Sequence, residues 1–275
     1  MFALEATGPL PPPAQCVPRQ AWRDGSASIG ERILAEEVPV AFSYDGATHA
    51  VLMATPDDLE DFAIGFSYTE GIITTSGEIA ELAVVSVADG IVLRMLLTGG
   101  RSDSFAARRR HFVGPAGCGM CGLESLAEAN RGIPMASHGL QVGRRDIAEA
   151  VAALPASQQL NMQTRAVHAA AFWRADQGLV LREDVGRHNA LDKLAGALLR
   201  RGRSAADGIV VLSSRISIEL IQKAAIMGAA IIVGMSAPTA LAVRTAEGAG
   251  LTLVGIARDD GFEVFTHPER ITQYC

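Results

Sequence analysis

Cysteine is scarce in this chain, long apolar runs and a basic excess are missing, and no internal repeat is visible. Each absence removes a class of protein. No stretch approaches the ~18 consecutive apolar residues of a membrane span. The opening MFALEATGPLPPPAQC has neither the basic start nor the apolar centre of a secretory signal, so neither export nor membrane anchoring is expected. The formal net charge of −6 speaks against a general nucleic-acid binder, whose phosphate contacts need a basic surface. Four cysteines in 275 residues, read as reduced thiols, make the cytoplasm the default compartment. What is present, 49% apolar and 20% charged residues, is the make-up of a soluble globular protein. Its length leaves room for one large domain or two modest ones.

Two of the four cysteines sit three positions apart in Gly117-Cys118-Gly119-Met120-Cys121-Gly122. Flanking glycines remove the side chains that would shield the sulfurs and permit positive φ, so the segment presents thiols to a partner. A structural zinc site needs four ligands, yet Cys16 and Cys275 lie at opposite ends and the six histidines are scattered. A thioredoxin-type pair needs a preceding strand, and none is legible before Gly117. The third use is a persulfide carrier, in which one thiolate takes a sulfur atom and hands it on. Zinc deaminases combine C-x-x-C with H-x-E, but the nearest match, Val167-His168-Ala169-Ala170, has Ala170 where the acid–base Glu belongs. Every use needs a thiolate near neutral pH. A helix start after Gly122 and the basic run Arg108-Arg109-Arg110-His111 are both placed to favour one.

The organisation changes at this loop. Residues 1–20 are proline-rich and aperiodic and read as a mobile arm. Over 21–112 the pattern is that of a small α+β subdomain. Two β-like runs flank Tyr44-Asp45-Gly46, and a second hairpin turns at Asp89-Gly90. Between them Thr55, Pro56 and Asp58 predict a helix start, Leu59, Phe62, Ala63 and Phe66 repeat at helical spacing, and Gly71 ends the helix. Residues 113–135 hold the cysteine loop and a connecting helix. From 136 to 275 the chain reads as an α/β core. Ile147 to Leu154 is helical and stops at Pro155. The apolar runs 179–181, 209–212, 230–233 and 251–256 then alternate with helices, and Asp260-Gly261 turns the last run into 262–265. Such alternation predicts a mostly parallel sheet covered on both faces.

Open α/β sheets bind ligands where strands end and helices begin. Those junctions here are Arg182 to His188, Ser213-Ser214-Arg215 and Ser236-Ala237-Pro238-Thr239. Helix N-termini offer free N–H groups, Ser213, Ser236 and Thr239 add hydroxyls, and Arg187 and Arg215 add charge, a combination suited to a phosphate-bearing ligand. The same hydroxyls serve equally as helix caps.

The block Val180-Leu181-Arg182-Glu183-Asp184-Val185-Gly186-Arg187-His188-Asn189-Ala190-Leu191-Asp192-Lys193, with the upstream C-G-x-C-G, resembles the signature of the formate dehydrogenase accessory sulfurtransferases, the FdhD family. Thr55 to Glu60, Gly65 to Ile73 and Ser236-Ala237-Pro238 extend the likeness from about residue 30 to the end. One departure is Ser214, where the family pattern has glycine. The resemblance implies a cytidine-deaminase-like three-layer α/β core with a smaller N-terminal α+β subdomain, assembled as a homodimer. It implies a cytoplasmic sulfurtransferase that takes sulfur as a persulfide from a cysteine desulfurase. That sulfur goes to the bis-molybdopterin guanine dinucleotide molybdenum cofactor, which the formate dehydrogenase catalytic subunit needs. The persulfide then falls on Cys118, with Cys121 assisting. Cofactor binding falls on Ala257, Arg258, Asp259, Asp260, Gly261 and Phe262, where the Phe262 ring can stack on guanine and Asp259 or Asp260 can accept from its N–H edge. A cofactor-binding chaperone and a thiol oxidoreductase are the alternative functions. His188, Asp192 and Lys193 carry no assigned role; Arg182 to Lys193 can form a buried ion-pair network that shapes the pocket.

Overall fold

The structure, a computed structural model, describes residues 8–102, 132–137 and 139–272. Asp-Gly pairs set several of its hairpins. Asp24-Gly25, with φ of 50° and 74°, joins β1 (Ala14–Arg23) to β2 (Ser26–Ala35). Asp45-Gly46, at 51° and 83°, joins β3 (Val38–Tyr44) to β4 (Ala47–Ala54). Positive φ at both central residues matches the twist of the flanking strands, which is why this dipeptide is a hairpin signal. Gly90 and Gly261 open the return strands β6 (Gly90–Leu97), after β5 (Ile79–Val87), and β13 (Gly261–Thr266), after β12 (Thr252–Arg258). The arm expected over 1–20 is therefore a strand from Ala14 onward. It turns back at Asp24-Gly25, and Pro18 is tolerated because the two-stranded ribbon is all edge.

β3–β6 form a four-stranded sheet in the order β4-β3-β6-β5, with β3 and β6 parallel. Helix α1 (Leu59–Thr69) covers one face, packing Phe62, Ala63 and Phe66 on Val40, Phe42, Leu93 and Met95. It starts later than the sequence predicts. Asp58 precedes it in left-handed backbone without a side-chain cap, because Thr55 is engaged elsewhere.

Beside a short parallel pair, β7 (Val142–Gly143) with β14 (Ile271–Thr272), the larger sheet has the order β13-β12-β11-β10-β8-β9, with β8 (His168–Arg174), β9 (Gly178–Asp184), β10 (Ile209–Leu212) and β11 (Ile231–Gly234). Only β10–β11 and β11–β12 are parallel pairs; hairpins add antiparallel strands on both sides. The expected mostly parallel sheet is thus mixed. A strand buried on both faces, such as His168–Arg174, has the same continuous apolar run whichever way its neighbour points. Strand alternation sends Val210, Leu212, Ile232 and Leu253 to one core, under α4 (Arg187–Arg200), α5 (Ile218–Ile226) and α6 (Ala240–Gly248). Ile209, Val211, Ile231 and Val233 face the other core, under α2 (Arg144–Ser157). This gives helix, sheet and helix layers. Pro155 does not stop α2: it lies in the last turn, where the missing N–H removes a single bond. The short α3 (Gln159–Thr164) follows.

The small sheet is joined to the core where α1 crosses α4. A Cβ on Gly65 would lie 1.7 Å from the Asp192 carbonyl oxygen, and one on Gly196 would lie 1.9 Å from that of Asp61. Only glycine at both points lets the two backbones touch.

Candidate functional site

β9 and β10 both run antiparallel to β8, and β11 and β12 run parallel to β10. The ends of β9, β10, β11 and β12, namely Asp184, Leu212, Gly234 and Arg258, therefore share one edge of the large sheet. The predicted junctions all lie on it. They are tied together by the backbone: Met235 N donates to Leu212 O (2.9 Å), Thr239 N to Ile216 O (2.9 Å) and Ile256 N to Ser236 O (3.3 Å). Gly255 permits the last contact, since a Cβ there would meet Pro238 at 2.8 Å. Ile256, a β-branched residue, is held at φ 53° beside a register shift in β12, an uncommon and strained backbone state.

The individual side chains differ in what they leave open. Ser213 Oγ accepts from Ala169 N at 2.8 Å, which uses a lone pair and not its proton. Thr239 Oγ1 caps α6 by accepting from Ala242 N at 3.2 Å. Ser214, at the position of the family glycine, is buried and donates to the Arg215 carbonyl. Arg215 is exposed and Ser236 half-buried. In the last segment Arg258, Asp259, Asp260 and Gly261 are exposed and Phe262 leans on the core. Ala257 is 1% exposed inside that core, so its side chain faces apolar neighbours. Cys118, Cys121 and the run Arg108 to His111 lie outside the described residues, as does the helix expected after Gly122. Among the described residues no group of three or more His, Cys, Asp and Glu is placed to hold a metal ion.

Behind this edge lies a buried polar network. Asp184, fully buried, accepts from Gly186 N (2.8 Å) and Asn189 Nδ2 (2.9 Å) on one oxygen. Its other oxygen takes Thr55 N (3.0 Å) and Lys193 Nζ (2.7 Å). Lys193 also donates to the Thr55 carbonyl, and Val185 N donates to the Thr55 hydroxyl. Thr55 therefore anchors the Asp184 turn to the small sheet. A second knot sits at the far end of α1. Lys223 Nζ donates to Asp192 (2.9 Å), Glu70 (2.7 Å) and Thr69 Oγ1 (3.0 Å). Burial alone would lower the Lys223 pKa, but the Asp192 and Glu70 carboxylates outweigh it and hold the ammonium charged. At the start of α1, Asp61 accepts from Arg182 (2.6 Å) and Arg200 (2.8 Å). Asp192 and Lys193 are thus members of a buried ion-pair network.

His188 is different. It is 6% exposed, and burial, followed by the Arg187 and Lys223 charges, pushes its pKa down to about 4, so the imidazole is neutral. Sequence reasoning did not single out Thr69, Glu70, Ser217, Glu219 or Lys223. Lys223, inside the helical pattern of Ile218–Ile226, looks like an ordinary surface charge until the end of α1 meets it.

A family model described as "FdhD/NarQ family" matches residues 35–272. The "Sulfur carrier protein FdhD" of Agrobacterium fabrum is 52% identical over 93% of this chain and 95% of its own length. The protein of the same description from Xanthomonas euvesicatoria pv. vesicatoria is 46% identical over 90% and 89%. Among solved structures, a "putative formate dehydrogenase accessory protein" from Desulfotalea psychrophila superposes with a TM-score of 0.73 at 26% identity. The match covers 96% of this chain and all of that one.

Proposed function

The chain belongs to the FdhD/NarQ family, and from that premise we propose that it is a sulfurtransferase serving formate dehydrogenase, with Cys118 as the sulfur-bearing residue. One observation carries the reading: a chain half-identical to a sulfur carrier along nearly its whole length holds just one closely spaced thiol pair, in a glycine-flanked loop. The Cys118 thiolate attacks the terminal sulfur of a cysteine desulfurase persulfide. A new S–S bond forms, the desulfurase thiolate leaves, and Cys118 carries the extra sulfur without net oxidation. Cys121 then acts in one of two ways. It attacks the terminal sulfur and relays it as a second persulfide, or it attacks the Cys118 sulfur, leaving a disulfide and releasing sulfide.

The acceptor in this reading is the bis-molybdopterin guanine dinucleotide molybdenum cofactor, bound as substrate along the strand-end edge. Ser213, Ser236, Arg215 and the start of the helix capped by Thr239 face its phosphates. Asp259, Asp260 and Phe262, with the backbone of Ala257, Arg258 and Gly261, form the turn that meets a guanine. A cytidine-deaminase-like core, a homodimer, a cytoplasmic location and delivery to the apo catalytic subunit of formate dehydrogenase complete the proposal.

Incubation with a desulfurase and free cysteine, followed by intact mass measurement, tests it. The expected result is a gain of one sulfur that Cys118→Ser abolishes. No gain in the wild-type chain would overturn transfer in favour of a cofactor-binding chaperone. Reduction of a model disulfide without cofactor would favour a thiol oxidoreductase.

A further inference from the structure

The β1–β2 ribbon belongs to no core. Its two ten-residue strands pair only with each other, and no ribbon residue enters any of the three buried clusters among the described residues. Its base is closed where Glu36 N donates to Pro13 O at 2.9 Å and the Gln15 amide donates to Glu36. An isolated two-stranded hairpin is marginal in water at best, so a ribbon of this length calls for a surface to cover it.

The two faces of the ribbon are unlike. The register pairs Cys16 with Ile33, Pro18 with Glu31, Gln20 with Ile29 and Trp22 with Ala27, and strand alternation puts all of these on one face. Ile29 is 90% exposed there and Trp22 72%. Glu31 is the one charge on that face, where its carboxylate accepts from the Cys16 thiol at 3.4 Å. Arg19, Arg23 and Arg32 all fall on the opposite face, which is thereby fitted to water. Trp, Ile and Pro gathered on one solvent-facing side mark an interaction surface.

The small sheet carries a counterpart. While α1 covers the face of Val40, Phe42, Leu93 and Met95, alternation turns Pro39, Ala41, Val51, Met53, Arg94 and Leu96 to the other side. Val51, Met53 and Leu96 are 45%, 46% and 42% exposed. A sheet with one face in water normally shows polar residues there. This face is largely apolar. Its strands bring to it one cation, Arg94, and on edge strand β5 the carboxylate Glu81.

We propose that the ribbon is an arm that lies, apolar face down, across the small sheet of a second copy of this chain, whose own arm is returned in the same way. Trp22, Ile29 and Ile33 of one copy then cover Val51, Met53 and Leu96 of the other, and Glu31 meets Arg94. Area selects this exchange. A ribbon face ten residues long and two strands wide measures about 34 Å by 10 Å, so one contact hides about 340 Å² on each surface. Two contacts related by a twofold axis hide about 1,400 Å², within the roughly 1,200–2,000 Å² of stable interfaces, whereas a ribbon packed on a ribbon hides about half as much. The inference rests on the homodimer in the reading above and gives it a surface.

Sedimentation equilibrium of the full chain tests it, with far-UV circular dichroism to verify that each variant is folded. Wild type should be a dimer. Ile29→Asp on the ribbon and Met53→Lys on the sheet should each raise the dissociation constant roughly 100-fold or more, because a twofold interface loses the contact twice. Trp22→Ser and Leu96→Lys repeat the test at second positions. Mixing Ile29→Asp with Met53→Lys should restore association, since one ribbon-on-sheet contact is then intact and the other sets Asp against Lys. Dissociation by the ribbon variants alone, or no recovery on mixing, overturns the exchange. Variants that all stay dimeric overturn this surface and leave the homodimer standing elsewhere. A monomeric wild type sinks both and leaves the ribbon to a different protein.

Discussion

Replacing Gly65 or Gly196 by alanine tests whether the contact of α1 with α4 holds the two sheets together. A Cβ at Gly65 would stand 1.7 Å from the Asp192 carbonyl oxygen, where real Cβ contacts stay beyond 3.0 Å. The two backbones must therefore separate by at least about 1.3 Å, in a region packed at crystal-like density. That movement strains the Asp61 and Lys223 ion-pair knots on either side of the crossing. Overpacking of a core typically costs about 1–3 kcal/mol, and loss of the flanking buried bonds adds to it, so we expect roughly 3 kcal/mol or more for either variant. Alanine's higher helix propensity returns at most about 1 kcal/mol. Gly248→Ala is the control: it lies in α6 with nothing within 4 Å of the added methyl and should stabilise by up to about 1 kcal/mol. Urea denaturation of the three variants gives the comparison directly. Wild-type stability in both Gly65→Ala and Gly196→Ala would refute the close-contact argument and the joint it describes.

Stability should also fall as pH drops from about 6.5 toward 4. His188 titrates near 4 when folded and near 6.5 when unfolded, so in this window the unfolded chain binds the extra proton. The loss amounts to about 3 kcal/mol once both values are passed. Asp58 and Glu183, whose carboxyls burial raises, act in the opposite sense in the acidic part of the window. The measurement is therefore the difference between wild type and His188→Gln across pH 4 to 7.5; identical slopes would contradict a buried neutral imidazole. Lys193→Met strands the Asp184 carboxylate and should cost about 3–5 kcal/mol, with Asp184→Asn in the same chain restoring part of it. A double-mutant cycle showing no coupling between the two positions would mean that the ion pair does not bind the small sheet to the core.

Local chemistry was legible wherever a single stretch of chain contains its own reason. Asp45-Gly46 turns because aspartate and glycine tolerate left-handed backbone, and Asp89-Gly90 turns on the positive φ of Gly90 alone. Gly71 and Gly202 end helices at φ of 69° and 63° for the same reason. The phase of α4 follows from its apolar spacing, and the strand-end loops fall on one edge as alternation implied. The readings that failed are those with a distant partner. Thr55 has every local mark of a helix cap, yet its backbone and hydroxyl serve a turn 129 residues further on. Ala257 is buried while Arg258 to Gly261 are exposed, and a strand end does not announce which face its last residues take.

By itself, then, the amino-acid sequence determined the turns, the helix phases and the glycine-flanked thiol pair, along with the family to which these belong. Each of these depends on backbone freedom and side-chain type within a few residues. The tertiary structure alone decided the mixed order of the large sheet and the meeting of α1 with α4 at two glycines. It also divided one continuous run of polar residues into two kinds. Asp184, Asp192 and Lys193 are satisfied by partners from α1, α5 and the Thr55 segment. His188, between Asp184 and Asp192 in the chain, is left buried with neither ring nitrogen paired among the described residues. No local pattern separates those roles, because the free energy of a buried polar group depends on which atoms the rest of the chain brings to it.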